Sequence, residues 1–151
     1  MKLSEHFNLK EFTATSHKEL MAAQEEEVKA YIPTIKTLCL YILEPLRKFY
    51  NAPITVTSGF RGKTLNAKSG GAGTSQHCSG QAADIIIKGM SNEKIIDDLK
   101  SGRLSLHFGQ AIDERVNGKE WLHISLGYPF RLDKPCMQIL KTIDGRNYET
   151  A

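Results

Sequence analysis

No apolar run in the chain approaches the roughly 18 residues that a bilayer-spanning helix requires, so membrane insertion is not expected. The opening Met1-Lys-Leu-Ser-Glu-His-Phe7 lacks an apolar signal core, which reads as a protein made in the cytoplasm without an export signal of its own. There is no CxxC pair, and the three cysteines, Cys39, Cys78 and Cys136, are an odd set, which points to reduced thiols rather than a secreted disulfide frame. Internal repeats, low-complexity tracts and Pro/Gly/Ser linkers are missing, so residues 1–151 are expected to form one domain. Charge of one sign is scarce too: 20 Lys+Arg against 17 Asp+Glu leave +3, with a pI near 8.7. That falls short of the clustered basicity, with pI above about 9, that marks a nucleic-acid footprint. No nucleic-acid partner is expected, although the balance suits contact with an anionic polymer. What is present is a globular composition, 40% apolar and 25% charged. A chain of this length buries roughly 70% of its unfolded surface, so stability alone calls for no metal or disulfide, and any metal has to be argued from its ligands.

From Val28 the apolar positions run Tyr31, Ile32, Ile35, Leu38, Cys39, Ile42, Leu43, Leu46 and Phe49, the spacing of one helical face. Pro33 and Pro45 interrupt it, which predicts a broken or kinked helix with Cys39 as a core thiol. Ile54-Thr-Val-Thr57 then reads as a short strand, and Ala82-Ala-Asp-Ile-Ile-Ile87 as a strand buried on both faces. Ser91 suits the N-cap of a helix ending near Gly102, with Ile95, Ile96 and Leu99 inward. Asn117-Gly118 between Phe108–Val116 and Lys119–Leu126 is a hairpin signal, because a type I′ turn needs positive φ at both central residues. Residues Met137–Ile143 are expected to add an edge strand. Helices first and strands later predict an α+β domain: N-terminal helices on a small, largely antiparallel sheet.

Asp84 is the only charge in an apolar strand, and an unpaired carboxylate buried there costs several kcal/mol. It therefore needs a cation, an arginine or a set of donors; a structural salt bridge is the simplest answer. His77 stands seven residues earlier, across a loop in which Gly80 permits a sharp turn. His123 sits on the second hairpin strand, where a satisfied core histidine is the plain alternative. Together His77, Asp84 and His123 make a set of two imidazoles and one carboxylate, and three protein ligands plus water is the composition of a catalytic zinc site. Cys78 is disfavoured as a ligand because adjacent residues diverge. Two acids compete for the proton-transfer role. Glu120 lies three positions before His123, which strict alternation places on the opposite face. Glu114 shares the His123 face if Val116 pairs with Lys119 and Ile112 with His123. Arg61 offers a fixed positive charge for a substrate carboxylate or an oxyanion, against the alternative of a surface arginine. Gly62-Lys63-Thr64 mimics the end of a phosphate-binding loop, but that signature requires Gly at position 57, where this chain has Thr57. His6, His17 and His107 have no clustered partners and read as exposed or capping residues.

The strings Ile54-Thr-Val-Thr-Ser-Gly-Phe-Arg61, Leu65-Asn66, Gly70-Gly71-Ala72, Ser75-Gln-His77, Gly80-x-Ala-Ala-Asp84 and Trp121-Leu-His-Ile-Ser125 resemble the M15 zinc D-Ala-D-Ala carboxypeptidase-like family. The match is to its short phage-associated branch, which the opening Leu3–Phe12 and Leu43-Glu-Pro-Leu-Arg47 also fit. The resemblance implies a fold like that of the hedgehog and D-Ala-D-Ala peptidase domains, zinc as cofactor, and His77, Asp84 and His123 as metal ligands. It further implies peptidoglycan stem peptides as substrate, with Arg61 and Ser75 at the substrate. The family's acid maps to Glu120, with Glu114 on the preceding strand as the substitute in short relatives. The leading expectation is a monomeric zinc metallopeptidase acting on the bacterial cell wall, as a carboxypeptidase or endopeptidase, in the role of a phage endolysin. The rival is a virion-associated or wall-binding module whose zinc site is structural. A third reading is a metal-free domain with a fortuitous His/Asp set.

Overall fold

A nearly unbroken helical path runs from Met21 to Tyr50, and its irregularities follow from its prolines. It comprises α2 (Met21–Glu27), a 3₁₀ segment (Val28–Tyr31), α3 (Ile32–Leu38), a π turn (Cys39–Leu43) and α4 (Glu44–Tyr50), preceded by the short α1 (Leu9–Thr13). Pro33 and Pro45 occupy the first turns of α3 and α4, where a missing N–H matters least. The backbone N–H of Glu44 bonds the carbonyl of Cys39, so the chain widens by one residue just before Pro45. The expected break is therefore absorbed as a π turn, and the apolar stripe survives it. Ile35, Leu38, Cys39, Ile42, Leu43 and Leu46 have no exposed surface. Burial, the largest influence, pushes the Cys39 thiol up to about 12, which makes it an inert core residue.

The stripe packs on a sheet of six strands: β1 (Ile54–Ser58), β2 (Ala82–Ile87), β3 (Gln110–Val116), β4 (Lys119–Ser125), β5 (Gln138–Thr142) and β6 (Glu149–Thr150). Their order is β1-β2-β4-β3-β5-β6, antiparallel except for the β3–β5 pair. This is the α+β architecture expected, as described for residues 1–127, 129–130 and 136–151 in a computed structural model. The hairpin register is as reasoned, Val116 opposite Lys119 and Ile112 opposite His123, with φ of 53° at Asn117 and 75° at Gly118. Two expectations need correction. Residues 138–142 form a strand parallel to β3, and β6 pairs outside it, so β5 is not an edge strand. Nor is β2 buried on both faces: Ala83, Ile85 and Ile87 enter the core, whereas Ile86 is 45% exposed and Asp84 faces a cavity. A run of apolar residues does not reveal that the sheet is covered by helices on one side only.

Between β1 and β2 lie α5 (Lys63–Lys68) and a 3₁₀ turn (Gln76–Ser79); α6 (Asn92–Ser101) follows β2. Ser91 caps α6 by accepting from Lys94 N–H, and Gly102 ends it at φ 78°, both as reasoned. Gly80 closes the 3₁₀ turn at φ 68°, and a Cβ there would stand 2.7 Å from Cγ1 of the fully buried Ile35. Gly80→Ala is expected to destabilise the protein by about 2 kcal/mol, combining left-handed strain with overpacking, and to lower the thermal midpoint by about 4–8 °C. An unchanged melting curve would show that this turn tolerates a side chain.

Candidate metal centre

Each of the three ligand candidates reaches the centre from a different element. Asp84 lies midway along β2, and the antiparallel register sets it directly opposite His123 on β4. A register irregularity between Val56 and Ser58 on β1 leaves Ser58 opposite Asp84 on its other side. His77 arrives from the 3₁₀ turn, which Gly80 folds back toward β2. The donor atoms converge: His77 Nε2 is 3.2 Å from Asp84 Oδ1 and 3.3 Å from His123 Nδ1, and His123 Nδ1 is 3.0 Å from Asp84 Oδ1. Donors about 2.0–2.1 Å from a tetrahedral zinc lie about 3.3 Å apart, so this triangle fits one face of such a coordination shell. These three residues are the one group among the described residues with metal-ligand chemistry at such mutual distances.

The surroundings aim the ligands. His77 is 2% exposed, and its Nδ1 lies 2.7 Å from the Gly59 carbonyl; donation to that oxygen leaves Nε2 as a lone pair facing the centre. Gly59 cannot be replaced cheaply, since a Cβ would meet the Phe12 backbone at 2.5 Å. His123 turns its other nitrogen to Gln76 Oε1 at 3.3 Å. Burial raises the pKa of the Asp84 carboxyl, but the two imidazoles facing it outweigh burial and hold it well below the usual carboxylate range. The centre thus presents an ionised oxygen and two ring nitrogens, hard and borderline donors suited to zinc.

A cavity of about 870 Å³ opens over the centre, within the size range of ligand sites. Arg61, Ser75, Glu114 and Trp121 line it with the three ligand candidates. The two acids separate cleanly. Glu114 is on the cavity side of β3, and burial followed by the Asp84 charge raises its pKa above the ordinary glutamate value. The Trp121 indole N–H is near enough to favour the charged form of Glu114, yet it is buried without a hydrogen bond of ordinary geometry among the described residues. Glu120 pairs with Arg115 across the hairpin and is exposed on the opposite face. Its Oε1 accepts the Asn92 backbone N–H at 2.8 Å, so it is engaged with the first turn of α6, and it does not line the cavity. Strict alternation along β4, kept up to the turn at Lys119, accounts for this.

Arg61 enters the cavity on a segment clamped from α2. Gln24, 1% exposed, donates to the Phe60 carbonyl at 2.8 Å and accepts the Gly62 N–H at 2.5 Å, and Glu27 accepts the Lys63 N–H at 2.6 Å. The Arg61 Nε–H is buried without an acceptor among the described residues, so the side chain is not a surface arginine. Ser75 immediately precedes the 3₁₀ turn and lines the cavity beside the Gly70–Ala72 loop, which Asn66 Nδ2 holds at the Ala72 carbonyl at 3.0 Å. Cys78 stands outside the donor cluster, its thiol pushed up by burial. His6 pairs with Glu44 at 2.8 Å and His107 is exposed. Sequence reasoning passed over Gln76 and Gln24. The first adjoins a ligand candidate and was open to inspection; the second left no local signal, because its two partners lie 36 and 38 residues away.

A family model described as Peptidase M15 matches residues 5–125, a span that holds all three ligand candidates with Arg61, Ser75 and Glu114. No curated protein matches the chain.

Proposed function

Because the chain belongs to the peptidase M15 family, we propose that it is a zinc-dependent peptidase that cleaves the stem peptides of peptidoglycan. His77, Asp84 and His123 hold the metal in this reading, Glu114 moves the proton and Arg61 binds substrate. The observation that carries it is the triangle of donor atoms 3.0–3.3 Å apart at the floor of an open cavity. Three protein donors with room beside them suit a catalytic site, whereas structural zinc sites usually close with four. This argues against the wall-binding module with a merely structural ion. When bound, zinc supplies a Lewis acid that polarises a peptide carbonyl and makes water nucleophilic near neutral pH.

The remaining chemistry belongs to side chains of this chain. Glu114 accepts a proton during attack and returns it to the leaving amine; its raised pKa suits a group that must do both. Arg61, which lines the cavity with a buried Nε–H that has no acceptor among the described residues, is placed to hold a substrate carboxylate or a developing oxyanion. Ser75 and the loop before it line the same cavity and bound the peptide's path. We favour cleavage within the stem, as a phage endolysin requires, because trimming free ends does not open a cross-linked wall.

Digestion of purified muropeptides with and without chelator tests the reading, with mass spectrometry of the products identifying the bond. Loss of terminal D-Ala marks a carboxypeptidase; cleavage within the stem marks an endopeptidase. Failure of the zinc-loaded protein to act on any stem peptide would end the proposal. Arg61→Ala is expected to lower kcat/KM on stem peptides by about 10²-fold with zinc content unchanged, and Arg61→Lys by less. Cleavage by Arg61→Ala at the parental rate would remove Arg61 from the substrate site.

A further inference from the structure

One wall of the cavity is built by residues beyond the family match. Leu140, Gly145 and Tyr148 all line it, and all follow residue 125, where the match ends. β6 pairs with β5, Leu140 opposite Thr150 and Lys141 opposite Glu149, and the turn between them is tightly pinned. The Asp144 carboxylate accepts the backbone N–H of Arg146 and of Asn147 at 2.8 Å each, and the Thr142 hydroxyl at 3.1 Å. The Gly145 N–H donates to Thr142 Oγ1 at 3.0 Å. Tyr148 closes the unit, its hydroxyl donating to the Gly145 carbonyl at 3.1 Å.

This fixes the phenol at the cavity without using it up. Tyr148 is 47% exposed, so core packing does not account for it. The single hydroxyl proton is given to Gly145, and the oxygen lone pairs remain able to accept. The phenol also stands within the electrostatic field of the centre: burial, then the Glu114 and Asp84 carboxylates, oppose its ionisation, and Arg61 favours it. A rigid acceptor at the wall of a peptide-binding cavity has one abundant partner, the N–H of a peptide bond.

We propose that Tyr148 is a substrate-binding residue whose phenolic oxygen accepts a hydrogen bond from a backbone N–H of the bound peptide, on a wall supplied by the β5–β6 unit. The proposal rests on the peptidase reading for its ligand class, a peptide, and takes nothing from the metal. Its test compares the parent with Tyr148→Phe on a synthetic stem tetrapeptide and on analogues N-methylated one peptide bond at a time. KM and kcat are measured on zinc-loaded protein, and peptide binding is measured by calorimetry on chelator-treated protein. Tyr148→Phe is expected to raise KM and weaken calorimetric binding about five- to twentyfold, the worth of one hydrogen bond, with kcat, zinc content and melting temperature little changed. N-methylation at one bond is expected to weaken binding to the parent by the same factor and to leave Tyr148→Phe indifferent. Equal penalties in both proteins at every bond, or a shift in melting temperature alone, would overturn the proposal. Binding that shows the coupling without any hydrolysis would sink the peptidase reading and leave Tyr148 in place. Hydrolysis with a parental KM in Tyr148→Phe would do the reverse, and no binding of any stem peptide to either protein would remove both.

Discussion

Replacing Glu114 by Gln is expected to lower stem-peptide hydrolysis by about two to four orders of magnitude, the usual worth of a positioned proton-transfer group. Volume and shape are kept, and the residue lies outside the donor triangle, so zinc content should stay at the parental level. The contrast with Glu120→Gln makes the experiment decisive. Glu120 accepts the Asn92 N–H at the start of α6, and its amide would still offer an oxygen there, so turnover is expected to be close to that of the parent. Fast turnover in Glu114→Gln with loss in Glu120→Gln would move the base to the other face of the hairpin and contradict the register of β3 and β4.

Removal of a ligand candidate is expected to abolish both metal and activity. Purified parent should carry about one zinc per chain, the number a single three-ligand site holds, whereas His77→Ala and Asp84→Ala should carry none. Zinc added to chelator-treated parent should raise its melting temperature by mass action, and should leave the two variants unmoved. Because the core is built from the helical stripe and the buried face of the sheet, the metal-free parent is expected to remain folded. Elemental analysis that finds no divalent metal in parent refolded with excess zinc would sink the site. Retention of zinc by Asp84→Ala would remove the carboxylate from it.

Much of the architecture was readable because local rules agreed with the global fold. The 3.6-residue stripe named the core of the helical layer from Val28 to Leu46, whereas Phe49 at its end is 44% exposed. Asn117-Gly118 set the hairpin register, and through it the pairing of Ile112 with His123. Asp84 drew notice for an energetic reason: an ion in an apolar strand demands compensation, and His77 and His123 supply it.

Long-range pairing was another matter. Which faces of β2 are covered depends on where the helices dock, and the apolar Ile86 gave no sign of its exposure. That β5 joins β3 in parallel, with β6 outside it, depends on a connection whose direction is invisible to alternation. The choice between Glu114 and Glu120 could be framed from the sequence, since alternation already set them on different faces; the tertiary structure adds that Glu114 lines the cavity while Glu120 accepts the Asn92 N–H outside it. Gln24 and Tyr148 had no signal at all. The sequence by itself determined the layers, the hairpin register and the three donors, because these follow from periodicity, turn chemistry and the cost of a buried charge. Only the tertiary structure decided how those donors close to 3.0–3.3 Å, which acid shares their cavity and which late residues wall it, because such contacts join segments that no local rule connects.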